Sequence, residues 1–401
     1  MPVEKIPSEE VERGMYVSSL DRPWSETPFL FQGFEVLSQH DIDELIRLTR
    51  HVYIMVPDEN IVLTRLASDH ANNITTTGRI NTTDYGIRVS APDEVTRVQA
   101  SHEDVARIVS EVELLLKETK TLDLKAIEEP VRYMVESVVR NPDAYLWLTR
   151  IRRFDSFLYK DSLSAAVWGT ALGRQLGLPE DDLQVLAMGC MLMDIGKLSL
   201  PSELLHKTTR LGHDEWALMK THVEHGIKTL EADPNCHPAV LEIVRTHHER
   251  YNGSGYPAGL RGSQIPLFGQ IAGIVDQYVA ITTPRPFSRP LSASVAEQML
   301  YEQKNRLFDE GLVECFIQTL GAYPTGSLIE ISTGEVGIVI AQNPSLHLRP
   351  DVVLLLDPQK KPYGDYALVS LANYSNGGVP VTIKKSLHDG AYGLNIEAIS
   401  L

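Results

Sequence analysis

The first 65 residues alternate between short apolar runs and turn-forming residues. β-Branched and aromatic residues cluster in three runs bounded by Gly and Pro, a pattern that is typical of strands. These runs cover residues 14–20, 34–37 and 52–56. Asp41 is a suitable N-cap for a short helix over residues 42–48. We therefore expect residues 1–65 to form a small α+β domain.

The pattern changes twice in the next part of the chain. Residues 66–100 are polar and rich in Thr, Asn and Asp, which favours a linker. From Ser101 onward, apolar residues recur at intervals of three and four, as in Val105, Ile108 and Val112, which indicates helices. Further helices are predicted over 123–140, 142–150, 155–176, 180–193, 213–232 and 237–250. Residues 101–322 are therefore predicted to form a helical bundle.

Short strands return after the turn Tyr323-Pro-Thr-Gly326. Three runs of β-branched residues and leucine are separated by turn signals, and they cover 328–331, 336–340 and 352–356. Residues 323–401 are therefore predicted to form a β-rich C-terminal extension. The expected fold class is mainly α: a helical bundle with a small N-terminal α+β domain and a C-terminal β extension.

Charge and cysteine content narrow the class of protein. The chain has 401 residues, and its 37 basic and 53 acidic residues give a net charge of -16. This balance argues against a nucleic-acid polymer as partner, because phosphate contacts need a basic surface. Three cysteines without a C-x-x-C pair do not suggest a disulfide framework. With neither an apolar leader nor an apolar run long enough for a membrane span, we expect a cytoplasmic protein.

Histidine and carboxylate side chains are grouped in the second half of the predicted bundle. Asp194 and Lys197 end an apolar helix, His222 follows on another helix, and the pair His247-His248 precedes Asp276. Imidazole and carboxylate are common ligands of Zn, Fe and Mn. Such ions lower the pKa of bound water and neutralise phosphoryl oxygens, which hydrolysis of a phosphodiester requires.

The same residues also have a simpler interpretation. Adjacent histidines on a helix point about 100° apart, so His247 and His248 can reach one site only near a helix end. A pair there is often solvated or caps the helix. In favour of a metal site, Asp194 and Asp276 lie in apolar helices, where an unpaired carboxylate is costly. Both interpretations remain open on spacing alone.

The order and spacing of these motifs resemble the HD-GYP family, a subgroup of the HD superfamily. The matching positions are Met193-Asp-Ile-Gly-Lys197, His222, His247-His-Glu249, Gly255-Tyr-Pro257, Gly259-Leu-Arg-Gly262, Ile265-Pro266, Asp276 and Arg285-Pro286. The chain start, with Lys5-Ile-Pro7 and Gly14-Met-Tyr-Val17, resembles an uncharacterised domain that often precedes HD-GYP domains. The resemblance implies a helical HD fold.

The resemblance also implies an activity and a set of metal ligands. Active members hydrolyse cyclic di-GMP, using two or three iron, manganese or similar ions. Asp194 would be the carboxylate that bridges two ions. His222, His247 and His248 would be imidazole ligands, and Asp276 would be a carboxylate ligand.

Three positions match family residues that hold the substrate, and two match residues that take part in catalysis. Lys197, Tyr256 and Arg285 correspond to positions that contact the phosphates and guanines. Asp194 and Lys197 correspond to the catalytic positions. An ammonium group and a guanidinium group are well suited to bind phosphate oxygens.

The chain departs from the family pattern at several ligand positions. Met193 replaces the His of the HD dyad, and Asp161 stands where an earlier helix carries a His. The Glu of three-metal members falls at Phe157. Asn252 and Val279 stand where the family has Asp. The ion position served by the two lost imidazoles keeps only carboxylates.

These departures lead to a specific hypothesis about the metal. The chain is expected to bind one divalent transition ion tightly, Fe or Mn, through Asp194 and the three histidines. A second ion, at Asp161, Asp194 and Asp276, would bind weakly or not at all.

Three functions remain open at this stage. The chain is a slow cyclic-di-GMP phosphodiesterase, or an inactive cyclic-di-GMP sensor, or an interaction scaffold or enzyme for another nucleotide. Other signalling proteins and a second copy of the chain are the further partners expected.

Overall fold

The computed structural model describes most of the chain. The described residues are 3–12, 15–21, 34–36, 39–55, 83, 85–99, 123–151, 157–209, 211–283, 291, 293–343, 346, 348–387 and 390–394. The predicted helix around residues 105–116 lies outside them, as do Arg285 and most of the predicted linker.

The N-terminal region is a small antiparallel sheet packed against one helix. Its strands are β1 (Val3–Pro7), β2 (Tyr16–Leu20), β3 (Phe34–Glu35) and β4 (His51–Met55), in the order β1-β4-β2-β3. Helix α1 (Gln39–Leu48) buries Leu45 in the same apolar cluster as Val17 and Val52. The predicted strands and helix are present, with the addition of β1, whose short charged run carries a weak strand signal.

Residues 85–99 differ from the predicted linker at 66–100, because they pack against the helical region. Residues 91–99 form helix α2. The fully buried Glu94 carboxylate accepts hydrogen bonds from the Arg140 guanidinium at 2.7 to 3.1 Å. Tyr85 Oη donates to Leu178 O at 2.8 Å. A buried ion pair holds this segment in place, and a search for apolar periodicity does not detect such a pair.

The central region is an assembly of helices around one large hydrophobic core. The helices are α3 (Lys125–Arg140), α4 (Pro142–Ile151), α5 (Phe157–Gln175), α6 (Glu180–Leu192), α7 (Ser202–Leu205), α8 (His213–Lys220), α9 (His222–Glu231), α10 (Pro238–Thr246), α11 (Leu267–Thr282), α12 (Ala293–Gln303) and α13 (Glu310–Leu320). Gly169 on α5 lies against Cys190 on α6, where a Cβ atom would be 2.7 Å from the sulfur, so these two helices pack closely. The expected helical bundle is confirmed.

The single helix predicted over residues 213–232 is in fact two helices. Thr221 separates α8 from α9, and its Oγ1 donates to Leu218 O at 2.7 Å. His222 Nδ1 lies 2.7 Å from Met219 O and hydrogen-bonds to this carbonyl, which would otherwise accept a backbone hydrogen bond of a continuous helix. Side-chain hydrogen bonds to the backbone thus compete with the helical pattern at this point.

The end of α12 and the loop that joins it to α13 contact both the N-terminal sheet and the segment that follows α10. Tyr301 Oη donates to Leu20 O at 3.0 Å, and the Lys304 ammonium lies 5.7 Å from the centre of the Tyr53 ring. On the other side, the backbone N–H groups of Tyr251 and Asn252 donate to Leu307 O and Arg306 O at 2.9 and 3.0 Å. This segment therefore links two regions that are far apart in sequence.

The C-terminal region is a five-stranded antiparallel sheet. Its strands are β5 (Leu328–Ile331), β6 (Val336–Ala341), β7 (Asp351–Leu356), β8 (Pro362–Ser370) and β11 (Ile383–Leu387), in the order β11-β5-β6-β7-β8. The short pair β9 (Ser375–Asn376) and β10 (Val379–Pro380) forms a separate hairpin. The buried Asp143 carboxylate joins this sheet to α4, since it accepts bonds from Thr325 Oγ1 and the Gln342 N–H.

The predicted fold class is confirmed: helices dominate, and antiparallel strands form the C-terminal region. Among the described helices, none has the length and hydrophobicity that a membrane span requires.

Candidate metal centre

Four side chains from three segments meet within the helical region. Asp194 comes shortly after α6, His222 is the first residue of α9, and His247 and His248 follow the end of α10. One potential ligand atom from each residue lies within 4.8 Å of the others. All but His248 are buried, and His248 is half-buried. The structure thus brings together four of the residues that the sequence predicts as metal ligands.

Close backbone packing sets the distance between Asp194 and His222. The 3-10 helix Ile195–Ser199 lies directly on α9. A Cβ atom on Gly196 would be 1.9 Å from His222 O and 2.4 Å from the backbone nitrogen of Gly226. Only glycine fits such an approach, which gives the Gly of the Asp-Ile-Gly-Lys motif a structural role.

Backbone carbonyls orient two of the imidazole rings. His222 Nδ1 lies 2.7 Å from Met219 O, and His247 Nδ1 lies 2.8 Å from Val244 O. A carbonyl only accepts, so each Nδ1 carries the proton and each Nε2 keeps its lone pair. Both Nε2 atoms face the centre, where they are 3.5 Å apart. This is how a protein prepares histidines to bind a metal ion.

The distances between the nearest donor atoms are close to those around a metal ion. Asp194 Oδ1 lies 3.3 Å from His222 Nε2 and 3.7 Å from His247 Nε2. This oxygen is buried and accepts no hydrogen bond from the described residues. Ligand atoms at about 2.1 Å from an ion are about 3 to 3.5 Å from one another. The residues present therefore fit a transition-metal ion with imidazole and carboxylate ligands.

Electrostatics keep these groups in the protonation states that metal binding requires. Burial alone would raise the pKa of Asp194, but Lys197 and the two buried histidines beside it hold that pKa well below its usual value. Burial lowers the pKa of His222 to about 4, an effect that the Asp194 charge only partly opposes. Burial, together with the neighbouring His247, also lowers the pKa of His248 well below its usual value. At neutral pH, Asp194 is thus ionised while His222 and His248 are neutral.

Lys197 places a cation directly against Asp194. Its ammonium donates to Asp194 Oδ2 at 2.5 Å, and the pair is largely buried. Asp194 Oδ2 thus pairs with the Lys197 ammonium, while Asp194 Oδ1 faces the histidines.

His247 and His248 share one site because α10 ends just before them. The last residue of α10 is Thr246, and the two ring centres are 4.0 Å apart. His248 also reaches α11, where its Nδ1 lies 3.5 Å from Asp276 Oδ2. The sequence analysis requires His247 and His248 to lie near a helix end if they are to share one site. This position is confirmed.

Glu249 fixes the loop that carries Tyr256. Its carboxylate accepts hydrogen bonds from the backbone N–H groups of Ala258, Gly259 and Leu260 at 2.7 to 3.1 Å. The Tyr256 ring stacks near His248, with centroids 4.7 Å apart and planes 31° apart. Burial and then the Asp276 and Asp194 charges raise the pKa of Tyr256, so its hydroxyl remains a donor beside the centre.

Comparisons with known proteins agree with this geometry. Residues 150–312 match the HD domain family, and residues 3–127 match a domain of unknown function, DUF3391. Residues 150–312 therefore form an HD domain, and residues 3–127 form a DUF3391 domain. The Gly255-Tyr-Pro257 motif follows the histidine pair as in the HD-GYP pattern, and the HD-domain match confirms the resemblance seen in the sequence.

Relatives of this chain carry names that refer to cyclic dinucleotides. It is 28% identical over 361 residues to Cyclic di-GMP phosphodiesterase PA4108 of Pseudomonas aeruginosa, covering 90% of this chain and 86% of the relative. It is 35% identical to 3'3'-cGAMP-specific phosphodiesterase 2 of Vibrio cholerae, over 38% of this chain and 30% of the relative. It is 36% identical to the cyclic di-GMP phosphodiesterase response regulator RpfG of Xanthomonas campestris, over 37% of this chain and 39% of the relative.

The departures from the HD-GYP pattern lie outside the four-residue centre. Met193 is 3% exposed and packs in the main hydrophobic core. Asp161 is buried on α5, and neither it nor Asp276 belongs to the group of four among the described residues. Asn252 shapes the turn, since its Oδ1 accepts bonds from the N–H and hydroxyl of Ser254. Arg285 lies outside the described residues.

Two residues near the centre were not predicted from the sequence. The Trp216 ring on α8 lies 6.2 Å from the Tyr256 ring, and the Lys220 ammonium lies 5.9 Å from the same ring. A signal was available, because Trp216 and Lys220 are four residues apart and share one helical face just before His222.

Proposed function

We propose that this chain is a cyclic-di-GMP signalling protein with one tightly bound transition-metal ion. Asp194, His222, His247 and His248 would hold the ion, with Fe or Mn as the expected metals. The observation that carries the proposal is the convergence of two preoriented imidazole Nε2 atoms and the Asp194 Oδ1 atom at 3.3 to 3.7 Å.

The chemistry of this site suits a phosphodiester ligand. A bound ion would neutralise charge on a phosphate oxygen and act as a Lewis acid. Beside it, Lys197 supplies a positive charge and Tyr256 supplies a hydroxyl donor. The names of the relatives support cyclic di-GMP as the ligand, and Arg285 is a further proposed contact. Asp276 Oδ2 lies 3.5 Å from His248 Nδ1. We propose that Asp276 either orients the His248 imidazole or binds the metal itself.

Whether the chain catalyses hydrolysis depends on the second proposed metal position. The proposed ligands are Asp161, Asp194 and Asp276, all of them carboxylates, which makes this position the weaker one. Met193 lies in the hydrophobic core, and among the described residues no group of metal donors forms around Asp161 in place of the lost imidazole. We therefore propose slow hydrolysis, with Asp194 and Lys197 as the catalytic residues. The second candidate function, an inactive sensor that binds cyclic di-GMP, is favoured by the same burial of Met193.

Metal analysis combined with a binding titration tests the metal and ligand together. The full chain is purified, loaded anaerobically with Mn²⁺ or Fe²⁺, and titrated with cyclic di-GMP in a calorimeter. We expect about one tightly held ion per chain and saturable binding that is lost after chelation. Two tightly held ions per chain would contradict the one-ion proposal, and absence of binding by the loaded protein would contradict the ligand.

A turnover assay separates the enzyme from the sensor. The metal-loaded chain is incubated with cyclic di-GMP, and products are separated by chromatography, with Asp194→Ala as the control. Slow product formation that Asp194→Ala abolishes supports the enzyme. Binding without any Asp194-dependent product supports the sensor.

The location and the partners follow from the same proposal. We propose a cytoplasmic location, which agrees with the three free cysteines. Interaction with other signalling proteins and homodimer formation also remain proposals.

A further inference from the structure

Trp216 is an aromatic residue in an unusual place. It is 47% exposed on α8, a short helix that fully buries none of its residues. A large exposed aromatic side chain is informative when other binding groups surround it. Of the other described tryptophans, Trp147 and Trp168 are almost completely buried.

A row of rings connects Trp216 to the metal centre. His248, one of the four donor residues, lies 4.7 Å from Tyr256, and Tyr256 lies 6.2 Å from Trp216. The Trp216 and Tyr256 planes are nearly perpendicular, at 84°. Trp216 is therefore two ring contacts away from the centre and still open to solvent.

Lys220 lies one helical turn after Trp216 and adds a positive charge to the same face. Its ammonium is 5.9 Å from the Tyr256 ring centroid, and it forms no ion pair with a carboxylate among the described residues. Lys220 thus adds a positive charge beside the Tyr256 ring, apart from the pair of Lys197 and Asp194 at the centre.

We infer that Trp216 and Lys220 form a subsite for the second nucleotide of a cyclic dinucleotide, an inference that rests on the proposed function. One phosphate lies at the metal centre, and the base of the other nucleotide stacks on Trp216. The second phosphate lies near Lys220. Base stacking on aromatic rings and an ammonium beside the backbone are the usual elements of nucleotide binding without sequence readout.

Tryptophan fluorescence and calorimetry together test the subsite. The Mn²⁺-loaded full chain is titrated with cyclic di-GMP and, separately, with GMP. We expect Trp216→Ala to raise the Kd for cyclic di-GMP about 5- to 100-fold, the effect of one lost base stack. The Kd for GMP, which has no second base, is expected to stay unchanged. Lys220→Ala is expected to raise the Kd for cyclic di-GMP about fivefold at low salt and less at high salt.

The fluorescence readout assigns the stacking to one ring. Cyclic di-GMP is expected to quench the wild-type emission, and Trp216→Phe is expected to remove this quenching, because the other tryptophans remain in both proteins. Leu218→Ala is the matched control, since Leu218 is 42% exposed on the same helix. Circular dichroism melting confirms that each variant folds.

Two results would overturn the subsite while leaving the proposed function intact. One is a Kd for cyclic di-GMP that Trp216→Ala and Lys220→Ala leave unchanged. The other is an equal loss of affinity for GMP and cyclic di-GMP. Absence of cyclic-di-GMP binding by the loaded wild type overturns both the subsite and the proposed ligand.

Discussion

The two proposed metal positions offer very different side chains. At one, three imidazoles and Asp194 converge within 4.8 Å. At the other, Met193 lies in the hydrophobic core, and no described group of donor side chains includes Asp161. Two rings of the intact position keep their orientation through the carbonyls of Met219 and Val244, which belong to neither proposed ion position. A site of this kind can therefore lose one ion position and keep the geometry of the other.

Removal of one imidazole tests whether the intact position holds the metal. We expect His222→Ala to lower the affinity for Mn²⁺ at least about 100-fold, because a buried ligand is lost. The metal content after dialysis, measured by mass spectrometry, checks this result. His225→Ala, which removes a histidine from the same helix but outside the centre, is expected to retain the metal. Equal metal content in the two variants would contradict the assignment.

Gly196→Ala tests the backbone approach that sets the geometry of the intact position. The new Cβ would meet His222 O and force the 3-10 helix away from α9, so we expect a loss of stability of about 2 kcal/mol. Metal affinity is expected to fall as well. Gly364→Ala, at a site with nothing within 4 Å, is the matched control. Urea unfolding of the metal-free proteins measures the stability, and equal midpoints for both variants would count against this packing argument.

Asp276→Asn tests a contact at the edge of the intact position. The amide keeps the size of the side chain but removes the charge 3.5 Å from His248 Nδ1. We expect about a tenfold loss of Mn²⁺ affinity, the effect of a partner that orients a ligand. A competition titration with a fluorescent chelator gives the value. A loss as large as that of His222→Ala would mean that Asp276 is itself an essential ligand.

Met193→Leu tests the altered position. Leucine has nearly the same volume and no sulfur, so we expect a stability change below about 1.5 kcal/mol. Metal content is expected to equal that of the wild type. Calorimetric melting and metal analysis check both values. Loss of the ion from this variant would show that the Met193 thioether is a ligand.

Local patterns in the sequence predicted much of the structure. Strand β5 has the predicted limits of 328–331, because its apolar run is bounded by turn residues. The histidine pair also converges as the sequence requires, since α10 ends at Thr246. Helices, strands and helix ends depend mainly on nearby residues, and these parts of the fold and of the site could therefore be predicted.

Features that depend on distant partners could not be predicted in this way. Strand β1 forms by pairing with β4, and residues 85–99 are held by the buried pair of Glu94 and Arg140. The break at Thr221 comes from side-chain bonds to single carbonyls, which periodicity does not reveal. Trp216 lies beside the Tyr256 ring because of how the fold packs, so the sequence alone did not identify Trp216 as a candidate contact for the ligand.

The end of α12 and the loop after it connect the N-terminal sheet to the backbone beside the histidine pair. Tyr301 and Lys304 contact Leu20 and Tyr53 of the sheet. The carbonyls of Leu307 and Arg306 accept hydrogen bonds from the backbone a few residues after His248. The strands of the DUF3391 region are therefore part of the packing around the candidate metal centre, and a substitution at either end of this segment acts on both.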